Sequence, residues 1–574
     1  VSARRSLWWI ALAALALRLV LVVARGDYIV YDEGYYLLLA RSLRAGQGFT
    51  LNGLPHVALS PLQPVLVAVL SAAGIPDLWA SRLLAAACGA LLVFPITALA
   101  RLAGGERAAL PAAVLVGVSP ALMSFVPFFP GQSWNLYFGS EPLFLLLAFG
   151  AVAAAVRAED GGWGWWATAG VLAAGSYLTR AEGAVLGPAL FLVLAVRVGT
   201  RRRPHGWPRL ALAVCAAAVV AAPYLWYLRS TLGRWALSGR VQAAETGGSG
   251  ATGSAVGNAR AGGEVLDAFV WQGQPEAFLR ALYGLDRSGT GMASQYWGVH
   301  RETAAAGMSA AAPDSALAGA PPPPGAAAVA PEAPATARRG TLDVWRRGLG
   351  AVVPWWLGVL AIAGLMAGGR QALVWLFPLA VSALLPSVLT YVEPRSLLPL
   401  APLAALYAAA ALVRLEARLP SRWRSLGLPT LTGVVSLALV APAARELVRA
   451  WPQTAPLQQV SVARRVVGEY LGSHLPPNAA VMSWHPAIAI WARRPWRVLP
   501  FDSFQRIARY ARGQGVAAIV FSRFEPSPLR EPPRPFTVIL PGAVAADTGA
   551  RIEVQPVDET PLLFVGRLAP GPDR

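Results

Sequence analysis

The stretch that settles the fold is VSARRSLWWIALAALALRLVLVVARGDYIVYDEGYY, residues 1–36. Arg4 and Arg5 precede an apolar run over 7–24, and the acids Asp32 and Glu33 follow it. An apolar run of ~17–25 residues, made helical, crosses the hydrocarbon core of a bilayer. Basic residues at one flank mark the end that stays in the cytoplasm. Arg18 interrupts the run, and Val-Val-Ala-Arg-Gly at 22–26 is a poor cleavage site. The segment therefore reads as a permanent anchor, not a removable signal peptide.

The same pattern recurs along the chain. Further apolar runs lie near 78–100, 108–126, 137–156, 163–179, 183–197, 209–228, 349–368, 371–390, 396–413 and 428–447, giving eleven expected crossings. The run 61–74 is too short to span and reads as re-entrant or interfacial. Composition agrees: of 574 residues 55% are hydrophobic and only 14% charged, with a mean hydropathy of +0.49. A soluble domain carries about 25% charge. The net charge of +19 and pI near 10.9 resemble a nucleic-acid footprint, but all 49 basic residues are Arg, so their placement says more than their total. The two cysteines, Cys88 and Cys215, sit inside apolar runs, so neither a disulfide framework nor a zinc site can be built from them.

Placement fixes the topology. With the N-terminus inside, fifteen arginines fall in short cytoplasmic loops, the clusters 201–203 and 414–424 among them, against six near the outer face. Eleven spans then put the C-terminus outside. The expected organisation is a membrane part over 1–228, with a first external loop at 25–77, and a second membrane part over 349–447. Between them lies an external loop, 229–348. Within its low-complexity insert, 241–345, the Gly/Ser/Ala-rich 241–263 and the Ala-Pro-rich 303–340 read as disordered, and a more ordered-looking stretch with Trp271, Phe278, Leu282, Tyr283, Tyr296 and Trp297 lies between them. Residues 448–574 alternate helix-like runs (461–471, 503–512) with strand-like runs (480–484, 516–522, 536–540, 562–565), as a small extracytoplasmic α/β domain would. The fold class is thus an all-α polytopic membrane protein with that domain appended.

Ionisable residues at membrane depth are expensive and mark function by default. Seven gather on the outer face from four regions of the chain: Asp32 and Glu33 after the first span, Glu141 opening the fourth, Arg180 and Glu182 between the fifth and sixth, and Glu393 and Arg395 between the ninth and tenth. Each has a plainer reading. Asp32 suits the N-cap of an amphipathic interfacial helix carrying Tyr35, Leu38, Leu39 and Leu43. The two Arg–Glu pairs suit ion pairs closing tight hairpins, and Glu141 suits a first-turn acid favoured by the helix dipole. None of these accounts for all seven sharing one face. His56, His300 and His485 have no ligand spacing. No cofactor is called for, and a divalent cation is not evident in the sequence.

Several motifs carry a resemblance. Tyr31-Asp32-Glu33-Gly34-Tyr35-Tyr36, Ser60-Pro61-Leu62-Gln63-Pro64, Ser140-Glu141-Pro142-Leu143-Phe144, Tyr177-Leu178-Thr179-Arg180-Ala181-Glu182-Gly183 and Glu393-Pro394-Arg395-Ser396-Leu397, in that order, resemble glycosyltransferase family 39. That family includes the polyprenyl- or dolichyl-phosphate-mannose–protein mannosyltransferases and the lipid A aminoarabinose transferases. Gln63 departs from it, since relatives usually carry an aromatic residue there. The resemblance implies a multi-spanning GT-C fold, a polyprenyl-phosphate-linked sugar donor, inversion at the anomeric carbon, and Asp32 as catalytic base.

The chemistry of the residues fits that implication. A sugar on a lipid phosphate already has a good leaving group, so transfer needs a carboxylate for the acceptor proton and cations for the departing phosphate. Arg395 or Arg180 suits the second task, Arg395 being preferred because a proline turn precedes it. Asp32 and Glu33 are neighbours that face different ways on a helix. Glu33 is therefore expected to position a neighbour or the sugar, while Glu141, Glu182 and Glu393 orient the arginines or bind sugar hydroxyls. The expected partners are the lipid-linked donor, an acceptor protein, lipid or glycan, and membrane lipids, with no nucleic acid. The expected site is the outer face of the cytoplasmic membrane. The competing class, a lipid-linked sugar transporter or flippase, would show charges at mid-span on facing helices and inverted repeats. Only Arg18 lies at such depth.

Overall fold

The computed structural model describes residues 2–26, 29, 31–51, 53–123, 139–201, 205–238, 346, 348–350, 352–367, 370–389, 394–420 and 427–500. Beyond these it describes 507, 510–511, 514–522, 536–539, 552–556 and 564–568. The insert at 241–345, with the aromatic-containing stretch around Trp271 and Trp297, lies outside the described residues, as does Glu393.

The described residues of the eleven apolar runs lie mostly on helix. The membrane part contains α1 (Ser2–Arg25), α2 (Tyr31–Arg44), α3 (Leu62–Ala72), α4 (Asp77–Leu91), α5 (Val93–Gly104), α6 (Ala109–Val118), α7 (Glu141–Asp160), α8 (Trp163–Thr179), α9 (Gly183–Arg201) and α10 (Gly206–Leu232). After the insert come α11 (Trp355–Ala367), α12 (Arg370–Leu389), α13 (Leu400–Arg418) and α14 (Gly427–His474). Seven spans among the described residues are long and apolar enough to cross a membrane, α4 and α5 counting as one, and shorter apolar helices accompany them. The outward surface is apolar: Val219 is 73% and Met366 83% exposed. Faces of this kind would be unacceptable in water and are ordinary against lipid. The protein is a multi-pass membrane protein.

Two expected spans are broken, each by a proline. Pro95 cannot donate to the carbonyl of Leu91, and the helix divides at Leu92. Pro120 holds Ser119 extended (φ −62°, ψ 119°), so α6 stops after ten residues, about 15 Å and half a bilayer. Arg18 meets the interrupted backbone there. It is 2% exposed and donates to the carbonyls of Gly117 (3.0 Å) and Leu122 (3.3 Å). Carbonyls left open inside a bilayer cost several kcal/mol each, so irregular backbone survives there only when the protein satisfies it.

At the centre stands α7, whose Ala148, Phe149, Ala151, Val152 and Ala155 are fully buried. Small residues let neighbouring backbones approach: a β-carbon on Gly170 of α8 would lie 2.0 Å from the carbonyl oxygen of Ala213 in α10. Beyond the bilayer the expected helices 428–447 and 461–471 form a single 48-residue helix, α14, which runs into the C-terminal domain. There β3 (Ala480–Ser483), β4 (Trp496–Val498), β5 (Val516–Ser522), β6 (Phe536–Ile539), β7 (Ile552–Pro556) and β8 (Phe564–Leu568) form one sheet, in the order β4-β3-β5-β6-β8-β7. (β1 and β2, Thr50–Leu51 and Leu54–Pro55, form a small separate hairpin.) β3 runs parallel to β4 and β5, and α15 (Ala487–Ala492) follows β3.

The first loop differs from expectation. α2 was expected to lie in the membrane interface with one apolar face in lipid. Instead Tyr35, Tyr36, Leu37, Leu39 and Ala40 are all buried, so the helix is enclosed on two sides. Tyr35 and Leu39 join the core of the C-terminal domain with Val481, Ile488 and Phe521. Leu37 and Ala40 pack on Val67 of α3 and Ala80 of α4. A helix apolar around most of its circumference buries that surface in protein.

Candidate functional site

Four chain regions converge at one end of the bundle, where α7 and α9 begin and α8 ends. Asp32 stands in the first turn of α2 and accepts a 2.5 Å bond at Oδ2 from NH1 of Arg395. Arg395 lies in a short 3-10 turn, Pro394–Leu397, that leads into α13, and the pair is mostly enclosed. Arg180 ends α8 in an extended conformation (φ −148°, ψ 144°), which turns its side chain away from the helix axis. Its guanidinium donates from NH1 to Oε1 of Glu141 (2.5 Å) and from NH2 to Oε1 of Glu182 (2.7 Å). Burial alone would lower its pKa; Glu182 and Glu141 more than reverse this and raise it, against an opposing push from nearby Arg395. Glu141 occupies the first turn of α7, where the helix dipole favours an anion. Its second oxygen, Oε2, is buried with no hydrogen-bond partner among the described residues.

The two ion-paired groups meet at Tyr36. This residue lies one helical turn after Asp32, on the same face of α2. Its hydroxyl shares a 3.0 Å hydrogen bond with Oγ of Ser140. Burial first, then the charges of Asp32 and Glu141, pushes its pKa up to about 12, so it remains a neutral phenol. Tyr36, Ala58, Ser60, Thr179, Arg180, Ala181 and Glu182 line a tight cleft of about 10 Å³.

Of the seven residues marked in the sequence, Asp32, Glu141, Arg180, Glu182 and Arg395 come together. Glu33 turns away from Asp32. It is fully buried and accepts a 3.0 Å bond at Oε1 from Nε of Arg82 in α4, whose NH1 also donates to the carbonyl of Gly26. Glu33 thus ties α2 to α4 from behind the site. Glu393 is among the residues not described. The sequence reading missed Tyr36 and Arg82 as participants. Helical spacing from Asp32 would have indicated the first, and a lone arginine early in an apolar run the second. Gln63 is fully buried, and both its amide atoms lack a hydrogen-bond partner among the described residues. His56 is a structural residue whose Nε2 accepts the amide of Leu59. Among the described residues no group of three or more His, Cys, Asp or Glu is placed to hold a metal ion.

The helical bundle with interrupted helices and an α/β domain over one end has a fold similar to that of a solved membrane glycosyltransferase. The crystal structure of ArnT from Cupriavidus metallidurans bound to undecaprenyl phosphate superposes with a TM-score of 0.50 and 15% identity, covering 90% of this chain and 93% of that one. The apo oligosaccharyltransferase of Archaeoglobus fulgidus gives 0.46 at 14% identity, over 90% of this chain and 69% of that one. The mycobacterial arabinofuranosyltransferase AftD gives 0.44 at 15%, over 90% and 35%. Residues 60–227 match the family described as dolichyl-phosphate-mannose-protein mannosyltransferase, which bears out the resemblance read from the motifs. No curated protein sequence matches the chain significantly.

Proposed function

We propose that this protein is a glycosyltransferase that moves a sugar from a polyprenyl-phosphate donor to an acceptor protein, lipid or glycan, with inversion. The single observation that carries the reading is Asp32 bonded to Arg395 at 2.5 Å, a carboxylate base beside a phosphate-binding cation. The acceptor hydroxyl attacks the anomeric carbon from the face opposite the phosphate, and its proton passes to Asp32. The bond from the anomeric carbon to the phosphate oxygen breaks, and its electron pair leaves on the phosphate. Arg395, with Arg180 beside it, meets that charge, since a guanidinium fork can engage two phosphate oxygens. When phosphate draws Arg395 to itself, the Oδ2 of Asp32 becomes open to the acceptor. Glu141 and Glu182 hold Arg180 in place, and Glu393, two residues before Arg395 in the sequence, is a further candidate for binding sugar hydroxyls.

The description of the matching family supports a lipid-phosphate donor, as does the undecaprenyl phosphate seen in the ArnT structure. In this reading the bundle spans the cytoplasmic membrane with the N-terminus inside, and residues 25–77, 229–348 and 448–574 lie outside. The test is to incubate the purified full-length protein in bilayers with sugar-labelled polyprenyl phosphate and cell-envelope extract. Release of free polyprenyl phosphate together with labelled product is expected. Intact donor after prolonged incubation, or donor moved across the bilayer without cleavage, would overturn the reading, the second outcome indicating a flippase.

A further inference from the structure

The C-terminal domain touches the first turn of the helix that bears Asp32, and one glycine makes that contact possible. Gly34 is buried, and a β-carbon there would stand 2.6 Å from Cγ of Pro486 and 3.3 Å from its Cβ. Successive helical residues are separated by ~100°, so Gly34 and Asp32, two apart, point to nearly opposite sides of α2. Gly34 faces the domain while Asp32 faces Arg395. Whatever sets the height of Pro486 therefore sets the position of Asp32.

Pro486 is itself firmly held. It precedes α15 at the carboxyl end of β3, in a turn closed by its own hydrogen bonds. Oγ of Ser483 donates to the carbonyl of His485 (2.9 Å), and the amide of Ala487 donates to Nδ1 of His485 (3.1 Å). Nε1 of Trp496, on the neighbouring strand, donates to the carbonyl of Ser483 (3.1 Å). Along α2 the docking continues. The rings of Tyr35 and Trp496 lie 5.5 Å apart, and NH1 of Arg41 donates to the carbonyl of Ile490 (3.0 Å). A glycine inside a helix is otherwise a poor choice beside alanine, because it adds backbone entropy and no packing. The close approach of Pro486 supplies the reason for it.

We propose that Gly34 and Pro486 form a positioning contact through which the C-terminal domain sets the place of Asp32 in the site. The proposal rests on the transferase reading given above. Gly34 touches no reacting atom and acts through Asp32. A displacement of about 1 Å at a reacting group can cost on the order of 10²-fold in rate. Gly34→Ala raises helix propensity, yet it forces α2 away from Pro486.

The experiment compares full-length wild type, Gly34→Ala and the double variant Gly34→Ala/Pro486→Ala in the polyprenyl-phosphate transfer assay, with kcat and donor KM measured separately. The expected result is a fall in kcat on the order of 10²-fold for Gly34→Ala. Donor KM should change little, and most of the lost kcat should return when the Pro486 ring is removed. An unchanged kcat in Gly34→Ala overturns the proposal. So does a double variant that keeps the wild-type melting temperature without recovering turnover. If Gly34→Ala fails to accumulate, accumulation is the readout: recovery in the double variant upholds the contact, and no recovery overturns it. A wild-type protein that transfers no sugar would remove the transferase reading itself, whereas wild-type turnover with an unaffected Gly34→Ala removes only the positioning contact.

Discussion

The two ends of the bundle are built from the same residue types and treat them in opposite ways. At the end where α7 begins, Arg180 pairs with the buried Glu141 and the part-buried Glu182, and Arg82 with the buried Glu33. At the end where α7 finishes, about 30 Å away by helical rise, Arg101 pairs with Glu106 and Arg107 with Glu416, each pair with one partner well exposed. The exposed pairs sit where a chain leaves a membrane and needs charge for orientation. The buried pairs hold charge where desolvation penalises it, so they must be fixed by geometry. The division is one of degree, since Arg197 and Glu159 at the far end are also largely enclosed; among the described residues only Arg82 with Glu33 and Arg180 with Glu141 are buried on both sides.

The comparison can be broken most forcefully at Arg180. Arg180→Leu strands Glu141 and Glu182 without their shared cation. Removing one member of a buried pair costs about 3–5 kcal/mol. Thermal unfolding in detergent should show the loss, and a melting temperature within error of wild type would mean the cluster is solvated. Glu33→Gln comes next. It should lower stability by loosening α2 from α4, and cost less activity than loss of Asp32 itself, because Glu33 faces Arg82 and not the cleft.

A smaller, pH-dependent effect should come from His485. It is buried, and its pKa is held well below the ordinary imidazole value, by burial first and by the charge of Arg464 second. The unfolded chain protonates this ring below about pH 6.5, while the folded domain resists it. Its contribution is therefore complete above that pH and falls as the pH drops below it. Melting curves between pH 7.5 and 5 should show the decline for wild type and a flatter profile for His485→Gln; parallel profiles would contradict the assignment. The smallest effect belongs to the exposed end. Arg101→Ala should shift stability by about 1 kcal/mol or less, as for surface ion pairs generally.

Much of this was legible in the sequence because hydrophobicity and charge are one-dimensional signals. The apolar runs gave the helices, and counting spans brought Asp32, Glu141, Arg180, Glu182 and Arg395 to one face. What was not legible depends on contacts distant along the chain. The bond from Arg41 to the carbonyl of Ile490 joins residues 449 apart, and it helps enclose a helix whose own pattern suggested lipid contact. The separation of Glu33 from Asp32 followed from helical geometry, but its partner Arg82 did not. Pro95 and Pro120 mark helix breaks that run length alone conceals.

The central claim is that the Asp32–Arg395 pair divides the work of transfer, the carboxylate taking the proton and the guanidinium holding the phosphate. The most direct test measures donor binding and single-turnover transfer side by side for the Asp32→Asn protein in bilayers. The account predicts donor affinity near wild type and transfer reduced by at least ~10²-fold, the scale of a lost general base. Transfer at the wild-type rate with donor bound would contradict it.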